Sequence, residues 1–345
     1  MSAKFFLGID VSKKTLSALL TGTDGKALWS GKTVPNNEAG FGKLVENVKK
    51  TALRKAKCND YNIAVGMEST GVYGENLAYY LSDNNDGGRI VVYELNPYAV
   101  KAFRDSLMGQ NKNDAADAAA IAAYLPMAIA RGQITPWVAP AMEVRQLKEL
   151  SRRRGELIAL LTEETNRLEK LENAHAPYAP VTENVESHVG YLEDSIKAIE
   201  EEIERLIDKN DRLRHDVELL RSIPGIGPVN SVTVTSEIGD ITRFSSVKKL
   251  VSFVGVAPVE HTSGTSVYRH PKISRCGSTR VRSNLYMAAL VASQVNPVIR
   301  GFYERLLEKG KNKKLALTAC VRKLLHIIWG VLKNRRKFDQ CYALK

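Results

Sequence analysis

Residues 4–22 read "KFFLGIDVSKKTLSALLTG", and how this stretch is read decides the fold of the first third of the chain. "KFFLGIDVS" is a compact apolar strand ending near Asp10. Lys13-Lys14 lies in a short turn, and "TLSALLTG" is a second strand. Asp24-Gly25 is a hairpin signal, because Gly takes the positive φ that a tight turn needs. "ALWSGKTV" (27–34) follows as the third strand. Residues 37–56 switch to helical spacing, with Phe41, Leu44, Val45 and Val48 on one face. "YNIAVGME" (61–68) is a strand ending in Ser69-Thr70-Gly71, and 72–83 reads as a helix. "RIVVYEL" (89–95) is a fifth strand, and Asn96-Pro97 opens another helix. Antiparallel neighbours come first and α/β units later. That order predicts one mixed sheet with helices on its faces, over a domain spanning 1–135.

The chain has 345 residues, 44% of them hydrophobic, enough for two or three domains with real cores. No apolar run in the sequence approaches the roughly 20 residues of a membrane span, and no signal-peptide pattern opens it. The expectation is a cytoplasmic protein without membrane contact. Cys58, Cys276, Cys320 and Cys341 are scattered, with neither metal-ligand nor disulfide-framework spacing, which fits a reducing compartment. The net charge of +12 is unevenly spread: +3 over 1–140, −7 over 141–220 and +16 over 221–345. The last third has the profile of a polyanion binder.

The acidic middle, 141–220, is expected to be helical with a break near 175–182, where "HAPYAP" holds two prolines. Leu147, Leu150, Leu157, Leu161, Leu168 and Leu171 lie on a heptad grid. A second helix at about 184–222 carries Val189, Leu192, Ile196, Ile199, Ile203, Leu206, Leu213, Val217 and Leu220 at spacings of three and four. Asn210 is the only polar slot in that series. The pattern suits a coiled-coil seam whose single Asn fixes register, or an internal antiparallel hairpin, or both.

The basic part, 221–345, opens with "IPGIGPVNSVTVTSEIG", similar to the hairpin of a helix-hairpin-helix element. Gly225 and Gly227 would let backbone N–H groups approach a phosphate at the start of the next helix. Residues 284–294 and 314–333 read as further helices, and Lys313 and Lys314 decorate the last. The domain is expected to be mainly α-helical. Between these elements, "GVAPVEHTSGTSVYRHPKISRCGSTRVR" (255–282) reads as a mobile loop or a phosphate-binding surface. Arg269, Lys272, Arg275, Arg280 and Arg282 all suit phosphate contact. Composition does not choose a nucleophile among Ser263, Thr265, Ser266, Ser274 and Ser278.

Four carboxylates stand out in the first domain. Asp10 ends the first strand and Glu68 the fourth. Asp114 and Asp117, in "NKNDAADAAAIAAY" (111–124), share one helix face at i and i+3, with no Lys or Arg beside them on that face. Each alone reads as a cap, a first-turn acid or a solvated side chain. Together they suit a two-metal site, because hard divalent cations prefer oxygen ligands. The small alanines would let this helix lie close to the sheet.

Five motifs occur in one order: "GIDVSKKTL", "GMESTGVYGENLAYYL", "NKNDAADAAAIAAY", "IPGIGPVNSVTV" and "HTSGTSV". With them the chain resembles the insertion-sequence transposases that join a DEDD, RuvC-like domain to a C-terminal serine-bearing domain. These are related to Piv-type DNA invertases and include recombinases guided by a structured bridge RNA. The resemblance implies a ribonuclease-H-like fold for the first domain, with Asp10, Glu68, Asp114 and Asp117 as catalytic acids holding Mg²⁺ or Mn²⁺. It picks Ser263, in a Ser-Gly-x-Ser segment, as the catalytic nucleophile. It implies Mg²⁺-dependent cleavage and rejoining of donor and target DNA through a phosphoserine link, a guide RNA as partner, and a dimer or tetramer formed through the coiled coil. One alternative is a metal-dependent junction endonuclease that uses water as nucleophile. Another is a non-catalytic nucleic-acid scaffold.

Overall fold

The computed structural model of the chain describes residues 4–340 other than 57–60, 69–70, 107–112, 264–266 and 275. The side chains of residues 72, 260–263 and 267–271 are also outside what is described. The chain divides into two compact units, Met1–Ala139 and Pro140–Lys345. The helices expected over 141–220 and the basic part expected over 221–345 therefore fall within one unit.

The first unit is built on a five-stranded mixed sheet. Its strands are β1 (Phe5–Val11), β2 (Thr15–Gly22), β3 (Ala27–Pro35), β4 (Ile63–Glu68) and β5 (Ile90–Leu95), in the order β3-β2-β1-β4-β5. β1, β2 and β3 pair antiparallel, while β4 pairs parallel with β1 and β5 parallel with β4. Alternation along β1 sends successive side chains to opposite faces. Phe5, Leu7 and Ile9 join a core with Phe41, Leu44 and Val48 of α1 (Glu38–Lys55) and Leu77 and Leu81 of α2 (Val72–Asp83). On the other face Phe6 and Ala64 pack with Val100 of α3 (Pro97–Ser106) and with Ile121, Tyr124, Leu125 and Ala128 of α4 (Asp114–Ala130). This mixed sheet with helices on both faces agrees with the expected α/β architecture.

α4 lies unusually close to the sheet. A Cβ placed on Gly8 would stand 2.2 Å from the Ala118 carbonyl oxygen and 2.4 Å from the Ala122 nitrogen. One on Gly66 would meet Ile121 and Leu125 at 3.1 and 3.2 Å. The alanines account for half of this close approach. The two paired glycines of β1 and β4 account for the other half.

In the second unit α5 (Met142–Glu172) and α6 (Ala179–Lys209) form an antiparallel hairpin. Leu147 packs with Ile203 and Ile207 near its base, and Leu157 with Leu192 and Ile196 further out. The inner half of the heptad seam is thus buried within the chain, while Leu168, Leu171 and Val189 are half-buried. The second helix ends at Asn210, which corrects the reading of Asn210 as a seam position inside one long helix. Asn210 is the C-cap of α6 and the N-cap of α7 (Asp211–Arg221), and its side chain accepts a hydrogen bond from the Leu213 N–H at 2.9 Å. An amide that can cap a new helix breaks the old one.

α8 (Pro228–Ile238), a 3₁₀ turn (Ile241–Arg243) and α9 (Val247–Val254) follow. The stretch read as a loop then forms an antiparallel hairpin of β6 (Pro258–Ser263) and β7 (Val267–Ile273). α10 (Thr279–Val295), α11 (Pro297–Glu308) and α12 (Lys313–Asn334) complete the unit. By length and composition alone α12 is long and apolar enough to cross a membrane. Its apolar residues, Cys320, Leu324, Leu325 and Ile328 among them, lie in the core shared with α7 to α10.

Candidate active site

The site in the first unit follows from strand period and helix direction. Gly8 and Gly66 are partners in the β1/β4 ladder, which continues to Ile9 and Met67. One residue further, Asp10 and Glu68 stand on neighbouring strands. Each is two positions beyond a glycine that faces α4, so each faces α4 too. α4 sets Ala118 and Ala122 over Gly8 and begins one turn earlier, with Asp114 and Asp117 in its first turn. The Asn113 side chain caps that turn by accepting from the Ala116 N–H at 2.8 Å. Asp114 is therefore a first-turn acid and not the cap itself.

The four acids feel one another. Burial pushes the Asp10 carboxyl above the usual aspartate range, and the charges of Asp114 and Asp117 push it further. Burial likewise raises Glu68, reinforced by Asp10 and Asp117 and opposed by Arg104. Arg104 of α3 donates its Nη1 hydrogen bond to Asp117 Oδ1. The face with Asp117 is thus not free of basic groups, as the sequence suggested. Arg104 comes from another element, one turn past Val100 and beside Phe103, whose ring packs on Tyr124 of α4 at 5.4 Å. The sequence signal for it is a charge flanking the two inward apolar positions of a short helix.

Among the described residues no three metal-ligating side chains stand close enough, as placed, to hold one ion. The chemistry of the donors nevertheless fits a hard divalent cation. All are carboxylates, and two are raised by burial and by their neighbours' charge, which a cation would relieve.

The second unit carries Ser263 as the last residue of β6, paired with Val267 of β7. Its side chain lies outside the described residues, as do Thr265, Ser266 and the side chains of Arg269 and Arg275. Two other serines of the stretch have structural placements. Ser278 caps α10, accepting from the Val281 N–H, and Ser274 Oγ is shut away from solvent.

The basic residues also separate. Lys272, Lys313 and Lys314 are exposed. Arg282 donates to the Val254 carbonyl at 3.0 Å and closes the end of α9. Arg280 lies 3.7 Å from Glu237, a carboxylate buried on α8 that also takes two hydrogen bonds from Arg152 of α5 at 2.7 and 3.0 Å. Gly225, at φ 101, packs against α10, where a Cβ would meet Ala292 at 2.5 Å. Gly227 is the N-cap of α8 and faces open space.

A strand-end and helix-face acid cluster on a mixed sheet, joined to a basic serine-bearing unit, defines a nucleic-acid-processing class of protein. Residues 7–176 match a transposase family model carrying the DEDD motif in its name, and residues 217–304 match that of the IS116/IS110/IS902 transposase family. The pilin gene-inverting protein of Moraxella bovis is 30% identical over 98% of both chains. The mini-circle putative transposase for IS117 of Streptomyces coelicolor is 26% identical, covering 73% of this chain and 59% of that one. T. thermophilus RuvC, solved with a Holliday junction substrate, aligns at 21% identity and a TM-score of 0.29, over 39% of this chain and 99% of its own. The chain belongs to the IS110/IS116 family of transposases and DNA invertases, enzymes that cut and rejoin DNA.

Proposed function

We propose that this chain is the transposase, or site-specific recombinase, of an insertion sequence, and that it works through a covalent link between DNA and Ser263. The metal half of the reading is supported by Asp10 and Glu68 at the ends of adjacent strands, facing the first turn of α4 with Asp114 and Asp117 and raised in part by neighbouring acids. The serine half rests on the family to which the chain belongs. These four residues would hold Mg²⁺ or Mn²⁺. Such an ion, when bound, supplies Lewis-acid polarisation of the scissile phosphate and charge neutralisation at the leaving oxygen. Ser263 Oγ gives up its proton and attacks the phosphorus, forming a serine–phosphate bond as the bond to the DNA 3′-oxygen breaks and that oxygen leaves, protonated, as a 3′-hydroxyl. A 3′-hydroxyl of another strand then attacks the phosphoserine, making a new phosphodiester and releasing Ser263. The bond energy is kept throughout, so joining needs no ATP.

The nucleic-acid surface is in the basic unit. Lys313 and Lys314 occupy the first turn of α12, where the helix dipole disfavours cations, and a phosphate there would offset both. Exposed Lys272 and the N-terminus of α8 at Gly227 are further candidate phosphate contacts. With no recognisable base-reading helix in the sequence, target choice would fall to base pairing with a guide RNA. Sequencing the nucleic acid that co-purifies should return one structured RNA, and random fragments would count against guidance. Association into a dimer or tetramer would use the outward face of the α5/α6 hairpin, where Ile158, Leu160 and Tyr191 are exposed, since the inner half of the seam is occupied internally.

The test of the metal half is a recombination assay in cells carrying the gene with its flanking DNA. Asp10→Asn should abolish strand cleavage while DNA binding persists. Cleavage retained by Asp10→Asn contradicts the reading.

A further inference from the structure

We propose that Arg104 is a built-in competitor of the divalent cation, holding Asp117 in the metal-free protein and giving it up when the ion binds. This rests on the metal reading above. Arg104 contacts Asp117 through Nη1, and its fixed positive charge also reaches Glu68. A guanidinium cannot vacate the site by losing its proton, so an ion that takes Asp117 has to break the pair physically. The displacement is small. Arg104 Nε already lies 4.0 Å from the exposed carboxylate of Asp105, a second anion toward which the fork can turn. Meanwhile Val100 and Phe103 keep α3 seated on α4. With Arg104 on Asp117, no three described carboxylates close around one point.

Calorimetric titration of Mn²⁺ into the full-length protein tests this without using activity. Arg104→Gln removes the charge and should bind Mn²⁺ on the order of fivefold more tightly, the size expected of a partly exposed ion pair. Lys101→Gln, which removes a charge from the same helix, should leave the affinity within about twofold and so exclude a general field effect. Affinity equal to wild type in a folded Arg104→Gln protein, or an equal gain in Lys101→Gln, overturns the inference. If Arg104→Gln does not fold, Arg104→Lys takes its place. A shorter ammonium without the fork should give an intermediate gain, and unchanged affinity overturns the proposal. Asp10→Asn separates the two ideas. Binding that Asp10→Asn abolishes but Arg104→Gln does not strengthen sinks only the Arg104 inference. Binding by none of these proteins sinks the metal reading, and the inference with it.

Discussion

Asp10 and Glu68 pay for their position in the metal-free protein. A carboxyl whose folded value is raised takes up protons more readily folded than unfolded. Its charge is fully destabilising above the folded value, and the penalty fades as pH falls, vanishing below the unfolded value. The metal-free protein should therefore lose stability as pH rises through the raised values of these two groups. Asp10→Asn should remove part of that penalty and raise the metal-free Tm at neutral pH by roughly 1–3 °C. A lowered Tm would show that the Asp10 charge is stabilising. The acids were legible in the sequence because strand ends and an i, i+3 pair are local signals. Arg104 was not, since its partner lies on another helix and only tertiary packing joins them. Ser263 was not separable from its neighbours by composition, for every serine in a basic loop offers the same hydroxyl. Ser278 serves as the cap of α10 and Ser274 Oγ is buried.

At the scale of elements, the distance between α4 and the sheet is set by absent side chains. Gly8→Ala would drive a methyl into the Ala118 carbonyl, so α4 has to shift. Such overpacking costs about 1–3 kcal/mol, and here it also moves Asp114 and Asp117 away from Asp10. Chemical denaturation should show that loss together with weakened metal binding; a neutral substitution would mean that α4 does not sit where described. The break at Asn210 yields an opposite-signed test. At a coil seam Asn210→Leu would add apolar packing and stabilise, whereas at a cap it removes the acceptor for the Leu213 N–H and should destabilise by about 1 kcal/mol. Heptad spacing ran across this point because α6 and α7 both bury apolar residues at helical intervals, and periodicity does not register a change of axis. The β6/β7 hairpin escaped detection for the opposite reason. Its strands, PVEHTS and VYRHPKI, mix prolines, histidines and charged residues and lack the apolar alternation that marks a half-buried strand.

For the whole molecule, the sequence conveyed the division of labour better than the boundaries. The charge contrast survives in weaker form, +3 in the first compact unit against +9 in the second, where the −7 of 141–220 offsets part of the +16 of 221–345, with the four acids in one and Ser263 in the other. The acidic helices were expected as a separate module because their charge differs. Packing places them with the basic part, joined by the buried Glu237 that links Arg152 of α5 to Arg280 at the start of α10. The central claim is that both units serve one reaction in which Ser263 becomes covalently attached to DNA. Its most direct measurement is mass spectrometry of peptides from the full-length protein, denatured and digested during reaction with its DNA in Mg²⁺. The account predicts a nucleotide-bearing peptide with the added mass on Ser263, absent from both Ser263→Ala and Asp10→Asn. Cut DNA with no adduct, in wild type and Ser263→Ala alike, would contradict it and make water the nucleophile.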